Sequence, residues 1–297
     1  MRLAPTMLAL SSVLFVLPVP AEEPEISFKS TELAPGLYVL EGEGGFAGGN
    51  VGLLTGEDGV MLIDDGLPPL VDELLDAIGE LTDDSVDLLI NTHVHGDHVG
   101  GNEVLGKRGA TIIAHDNLRA RLAEGRSTPD GTVPTPRDAL PVVTFADSVT
   151  IHLNGREAFV FHVEHAHTDG DVVIHFREDN VIHAGDVLFN GLFPYIDIDS
   201  GGSVEGYIAA QKRILALTDD QTKIIAGHGP LADREDLKAS IDMLEAGYGK
   251  VRALVAAGKS REEVLAAAPL ADFESWSWEF ITTERMTDTF LRALTGE

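Results

Sequence analysis

Three imidazoles and a carboxylate fall within six residues of one stretch, Thr92-His93-Val94-His95-Gly96-Asp97-His98. Imidazole nitrogen and carboxylate oxygen are donors that zinc accepts. In an extended loop His93, His95 and Asp97 share one side while His98 points elsewhere, and Gly96 lets the backbone bend between them. These groups can therefore face two neighbouring points, and the spacing predicts a site for two metal ions. Three further segments carry more donors: His165-Ala166-His167-Thr168-Asp169-Gly170-Asp171, His183-Ala184-Gly185-Asp186-Val187 and Ala226-Gly227-His228-Gly229-Pro230. Each sets a His or Asp near a glycine, where the chain can approach an ion closely. Counting donors, one zinc takes His93, His95 and His167, the second takes Asp97, His98 and His228, and Asp186 bridges the pair. Three or four protein ligands and one open position describe a catalytic zinc rather than a structural one. The other histidines (115, 152, 162, 165, 175 and 183) read as strand or surface residues, with His165 and His183 near enough to support ligands.

All four segments follow short apolar runs that read as strands. Val86–Ile90 precedes the His-rich loop, and α/β sheets present their chemistry at the C-terminal ends of strands. After a linker at Glu22–Ser30, strands are expected at Leu37–Leu40, Val51–Leu54 and Val60–Ile63, the last two joined by a hairpin through Gly56-Glu57-Asp58-Gly59. Leu70–Leu81 has helical spacing, with Leu70, Leu74, Leu75, Ile78 and Leu81 on one face. A short helix near Asn102, a strand at Ala110–Ala114 and a helix at Asp116–Leu122 follow, and then 125–141, whose four prolines predict a long surface loop. The second half carries strands at Val142–Phe145, Val149–Leu153, Ala158–Val163, Val172–Phe176, Val181–Ala184 and Thr222–Ala226. Its helices are expected at Ser203–Leu217, Asp233–Ala257 and Thr282–Leu294. Strands before helices occur twice, which predicts an α/β architecture of two sheets face to face between helices, in one domain over 22–297.

Residues 1–21 have the form of a secretory signal: Arg2, an apolar stretch from Leu8 to Val19, and a small residue at Ala21. The stretch holds Ser11, Ser12 and Pro18 and is short for a membrane span, so no span is expected after cleavage, and the location is periplasmic or secreted. There is no cysteine, so no disulfide supports the fold. Forty-nine acidic against twenty-one basic residues give a formal charge of −28. A field of that sign repels polyphosphate, which sets nucleic acid aside and leaves a small-molecule substrate as the expected partner. No residue pattern fixes an oligomeric state.

With these motifs together, the chain resembles the metallo-β-lactamase superfamily. THVHGDH (92–98), AHTDGD (166–171), HAGD (183–186) and AGHGP (226–230) stand in that family's order, and Leu62-Ile63-Asp64-Asp65-Gly66 is similar to its leading strand motif. The resemblance covers about residues 32–232. It implies an αββα sandwich with a dinuclear zinc site along one edge, the ligand roles given above, and Asp64 as a buried carboxylate orienting the ligands. It is closest to secreted lactamase-like hydrolases, with two departures. Asp186 stands where the best-known lactamases have Cys, and Phe189 where they have a Lys that holds the substrate carboxylate. Asp186 is similar instead to the bridging carboxylate of glyoxalase II and its relatives.

The function expected from this is a periplasmic, zinc-dependent hydrolase that opens β-lactam amides, with Asp97 orienting the attacking water or passing its proton. An ester, thioester or lactone hydrolase is the alternative of the same chemistry. A non-catalytic metal-binding module is the alternative of another class, although it would not need an open coordination position. Phe46, at the centre of the glycine-rich loop 42–50, is a candidate flap over the site. Trp276 and Trp278 read as core, or as part of a pocket or a contact between copies.

Overall fold

Successive side chains on a strand face opposite ways, and here both faces are apolar. Val39 turns toward one apolar cluster and Leu40 toward another; Met61 and Ile63 share the first cluster while Leu62 joins the second. Strands of this kind must be covered on both sides. The computed structural model, which describes residues 26–129 and 131–296, shows how. The signal expected at 1–21 lies outside the described residues.

The chain opens with β1 (Ser27–Ala34), β2 (Leu37–Glu43), β3 (Val51–Leu54), β4 (Met61–Ile63), α1 (Val71–Gly79), β5 (Leu88–Ile90), α2 (Asn102–Lys107), β6 (Thr111–His115) and α3 (Asp116–Glu124). A small hairpin, β7 (Arg126–Thr128) and β8 (Gly131–Val133), then leads to β9 (Val143–Phe145). The second sheet runs β10 (Ser148–Leu153), β11 (Arg156–His162), β12 (Val172–Phe176), β13 (Val181–Phe189), α4 (Val204–Leu215) and β14 (Lys223–His228). The chain closes with α5 (Arg234–Ala256), α6 (Arg261–Ala266) and α7 (Thr283–Thr295). Spatial order is β1-β2-β3-β4-β5-β6-β9 in the first sheet and β10-β11-β12-β13-β14 in the second.

Between the sheets lie Leu54, Ile63 and Ile90 from one and Val160, Ile174 and Ile225 from the other. The outer face of the first sheet is covered by α1 and α2 through Leu74, Ile78 and Leu105, that of the second by α4 and α5 through Ile214, Leu237 and Ile241. The result is the αββα sandwich. A further apolar cluster joins Phe193 and Tyr207 to Leu244, Phe290 and Leu291, so the C-terminal helices are built into the same body.

Three expectations need correction. The segment read as a linker contains the start of β1, which pairs with β2 from Ser27↔Glu43 to Ala34↔Leu37. Its side chains are largely polar and exposed, so backbone pairing rather than an apolar pattern makes it a strand. The proline-rich 125–141 is not loop throughout, since it holds the β7–β8 hairpin and a 3₁₀ turn at Arg137–Ala139. β13 also runs to Phe189, past the expected end at Ala184, by bulging: Gly185 has φ 51° and the pairing with β14 shifts register on either side of it.

Candidate metal centre

The loop after β5 is held in shape by a buried carboxylate at the end of β4. Asp64 takes a left-handed backbone (φ 62°) and accepts from the Thr92 amide and the Thr92 hydroxyl, both at 2.7 Å. Its Oδ2 also lies 2.8 Å from His98 Nδ1. With the Thr92 hydroxyl spent on Asp64, the 3.0 Å contact between Thr92 Oγ1 and His93 Nδ1 assigns the proton to Nδ1 of His93. The His93 lone pair then sits on Nε2, facing inward.

The same division of labour recurs in three other imidazoles. His167 Nδ1 is 2.6 Å from the Tyr195 carbonyl, and its Nε2 faces His95 Nδ1 at 2.8 Å. His95 Nε2 is held by Asp197 at 2.9 Å, and His98, anchored through Nδ1, turns Nε2 inward. One nitrogen is fixed by the protein and the other is offered, as in metal-ligating histidines generally.

The offered atoms form two groups: His93, His95, His167 and Asp186, and Asp97, His98 and His228, each with its donor atoms within 4.8 Å of one another. Asp186 stands between them. Its Oδ1 lies 3.1 Å from His98 Nε2, and its Oδ2 lies 3.6, 3.4 and 3.5 Å from Nε2 of His93, His167 and His228. The bulge at Gly185 displays this carboxylate, and a Cβ on Gly227 of the neighbouring strand would overlap it. His93 Nε2, His98 Nε2 and Asp186 Oδ1 are buried without a hydrogen-bond partner. Orphaned inward atoms at one point are what a cation would satisfy. Five imidazoles with two carboxylates suit zinc better than magnesium or calcium, so the residues fit the expected ions.

Charge is unevenly held. Burial keeps His93 well below the usual imidazole range and brings His167 down to about 4. Burial opposes protonation of His228 too, but Asp186 and Asp97 lift it to about 9. Burial alone would raise Asp186, yet the surrounding histidines, led by His98, hold it well below the carboxylate range.

Above the centre opens a cavity of about 760 Å³ lined by Phe46, Phe189, Tyr195, Trp278, Glu279 and Phe280 as well as by His95, Asp97, Asp186 and His228. No Lys or Arg is among its lining residues. Phe46 stands at its edge, 57 % exposed, its ring stacked 5.8 Å from that of His228. Of the other histidines, His165 and His183 make backbone contacts, to the Gly201 carbonyl and the Gly185 amide. Sequence reasoning gave no role to Thr92, Asp197 or Tyr195. Thr92 adjoins His93 but nothing in its type or spacing marks it as a support, and Asp197 and Tyr195 reach the site from another loop.

The family model described as the metallo-beta-lactamase superfamily matches residues 44–228. The chain belongs to that superfamily. Among curated members, it is 27 % identical over 150 residues to a probable metallo-hydrolase, YqgX, of Bacillus subtilis (strain 168), covering 49 % of this chain and 69 % of that one. A hydroxyacylglutathione hydrolase of Pelagibacter ubique (strain HTCC1062) is 27 % identical over 173 residues, 53 % of this chain and 62 % of its own length. A type 2 metallo-beta-lactamase of Bacteroides fragilis is 24 % identical over 150 residues, 50 % of this chain and 56 % of its own length. The chain thus spans less than two thirds of the last two. The fold is also that of a metallo-beta-lactamase from Pontibacter korlensis, with a TM-score of 0.62 at 19 % identity over 74 % of this chain and 99 % of that one. Membership of this metallo-hydrolase superfamily agrees with a small-molecule substrate, and no helix among the described residues is long and apolar enough to cross a membrane.

Proposed function

We propose that this member of the superfamily is an exported, dinuclear zinc hydrolase of acyl compounds, acting on uncharged esters, thioesters or lactones ahead of β-lactams. One observation carries the reading: seven His and Asp side chains offer inward donors, three of their atoms buried and unpartnered, at the floor of an apolar cavity. His93, His95 and His167 would hold one ion, Asp97, His98 and His228 the other, and Asp186 both. When bound, the ions supply Lewis acidity and a nucleophilic water at neutral pH. The chain's own residues do the rest. Asp97 lines the cavity, its Oδ2 3.3 Å from His228 Nε2, and is placed to orient the attacking water and take its proton. Phe189 and Trp278 set apolar rings beside His228, so a substrate that fills the cavity would displace water and strengthen every charge interaction there.

β-Lactam opening is the second reading, supported by the motif resemblance and the lactamase relative. The cavity lining offers no cation to a lactam carboxylate, which is why esters, thioesters and lactones come first. The deciding assay compares the zinc-loaded protein with a chelator-stripped control on a chromogenic cephalosporin, an aryl ester and an acyl thioester. Zinc-dependent turnover, faster on the ester or thioester, is expected. A protein that holds two zincs and hydrolyses none of the three would end the hydrolase reading. Export rests on the form of residues 1–21 and is tested by fractionating cells that make the full chain; co-fractionation with a cytosolic marker overturns it. Phe46→Ala should raise KM for bulky substrates by several-fold, and an unchanged KM for all of them would remove the flap.

A further inference from the structure

The wall of the cavity farthest along the chain lies outside the family-matched region, which ends at residue 228. Its parts are Trp278 and Phe280, with Glu279 between them. The Trp278 ring lies 6.1 Å from that of Phe189 and 6.4 Å from that of His228. Phe280 continues the surface outward, 5.6 Å from Trp278 and 5.5 Å from Tyr195. Phe46 belongs to the same cavity lining. A substrate reaching the metal-ligating side chains therefore passes along aromatic faces.

This wall is preformed. Trp278 Nε1 donates to the Phe193 carbonyl at 2.9 Å, and the Phe193 amide donates back to the Trp276 carbonyl at 2.7 Å. The Trp278 amide donates to the Ile281 carbonyl at 3.1 Å, closing the turn that carries Phe280. Arg285 braces it, donating to the Phe280 carbonyl at 2.9 Å with its guanidinium 3.9 Å from the centre of the Phe280 ring. A rigid aromatic surface binds an apolar group without first being ordered. Charge points the same way. Apart from the metal-ligating residues, the ionisable groups in the lining are Glu279 and Tyr195, and the chain as a whole carries −28. An anionic group near Glu279 would meet repulsion, and the guanidinium beside the wall, that of Arg285, is engaged with the Phe280 carbonyl and ring.

We infer that Trp278 and Phe280 determine specificity, selecting uncharged substrates that carry an extended alkyl or aryl group beside the scissile acyl bond and rejecting anionic ones of the same length. The inference rests on the acyl-hydrolase reading for its chemistry but not for its binding. Each methylene laid against such a wall is worth roughly fourfold in binding.

The test uses the zinc-loaded full chain and p-nitrophenyl esters of acetic acid, octanoic acid and suberic acid, the last keeping a free terminal carboxylate. The octanoate should exceed both others in kcat/KM by about 100-fold or more. Trp278→Ala and Phe280→Ala should each lower the octanoate-to-acetate ratio about tenfold or more, chiefly through KM, and Trp278→Phe should restore most of it. An unchanged ratio in the alanine variants overturns the inference, as does equal or better use of the suberate half-ester or of an octanoate bearing a terminal trimethylammonium group. Calorimetry with octanamide and suberamic acid separates this inference from the reading beneath it. If no ester is turned over but octanamide binds, suberamic acid does not, and Trp278→Ala abolishes the difference, the wall stands and the hydrolase reading falls. If neither amide binds, the inference falls whatever the esters do.

Discussion

Asp186 is surrounded by four imidazole Nε2 atoms at 3.1–3.6 Å, and no backbone amide competes for its free oxygen. A carboxylate so placed binds protons on its neighbours until something better arrives. His228, lifted to about 9, carries one of those protons at neutral pH. For His228 to serve as a zinc ligand that proton must leave, because a ligand imidazole is neutral. Calorimetric titration of stripped protein with zinc at pH 7, in buffers of different ionisation enthalpy, should therefore show net proton release and an affinity that falls as pH is lowered. Binding without proton release would mean that His228 is not a ligand or is already neutral in the stripped protein. Asp97→Ala should cost about 100-fold or more in kcat, since it removes both a ligand and the group placed to take a proton. His152→Ala, on a side chain 69 % exposed and 3.7 Å from Glu157, should leave kcat unchanged. Comparable losses in the two variants would sink the roles given to Asp97. At this scale the sequence made the donors legible through their spacing, because a loop after a strand keeps its residues together. Thr92 and Asp197 were illegible as supports: nothing local distinguishes the Thr92 hydroxyl that fixes the His93 tautomer, or the Asp197 that holds His95 from another loop.

Elements were readable where apolar periodicity was strong and obscure where the backbone alone decides. The helix expected at Leu70–Leu81 is α1 at Val71–Gly79, its Leu74 and Ile78 buried, and the strand expected at Val172–Phe176 is β12 to the residue. β1 has no such pattern, and α6 is only six residues long, so neither rose above its surroundings. The bulge in β13 escaped notice because its cause is a pairing shift against a strand some forty residues later. α5, by contrast, announces its start. Asp233 accepts from the Glu235 and Asp236 amides, and the Asp236 side chain accepts from the Asp233 amide in return. Asp233→Ala should destabilise the fold by about 1 kcal/mol, read from the denaturant midpoint at constant m. No change would show that the first turn of α5 is held by its packing instead.

Over the whole molecule, forty-nine acidic residues oppose twenty-one basic ones. Several of the acids are paired at the surface, Arg121 with Asp169 and Arg156 with Asp179 among them, but most of the excess has no cation to meet. Self-repulsion of that size should relax as salt screens it, so Tm should rise by several degrees between low salt and about 1 M salt. A flat or falling Tm would show that the acidic surface costs the fold nothing. The sequence displayed the net charge directly; where the apolar faces of the C-terminal helices sit against Phe193 and Tyr207 it could not show, because that contact joins residues far apart in the chain.

Each group of donors straddles the two sheets: His93, His95, Asp97 and His98 come from the first half of the chain, His167, Asp186 and His228 from the second. Neither half can assemble a complete coordination sphere by itself. Capture of an ion would therefore wait until the two halves have docked, and filling of the second group would wait further for β14, which carries His228. An ion bound there would rivet two halves that have already found each other, and its presence would certify that they have.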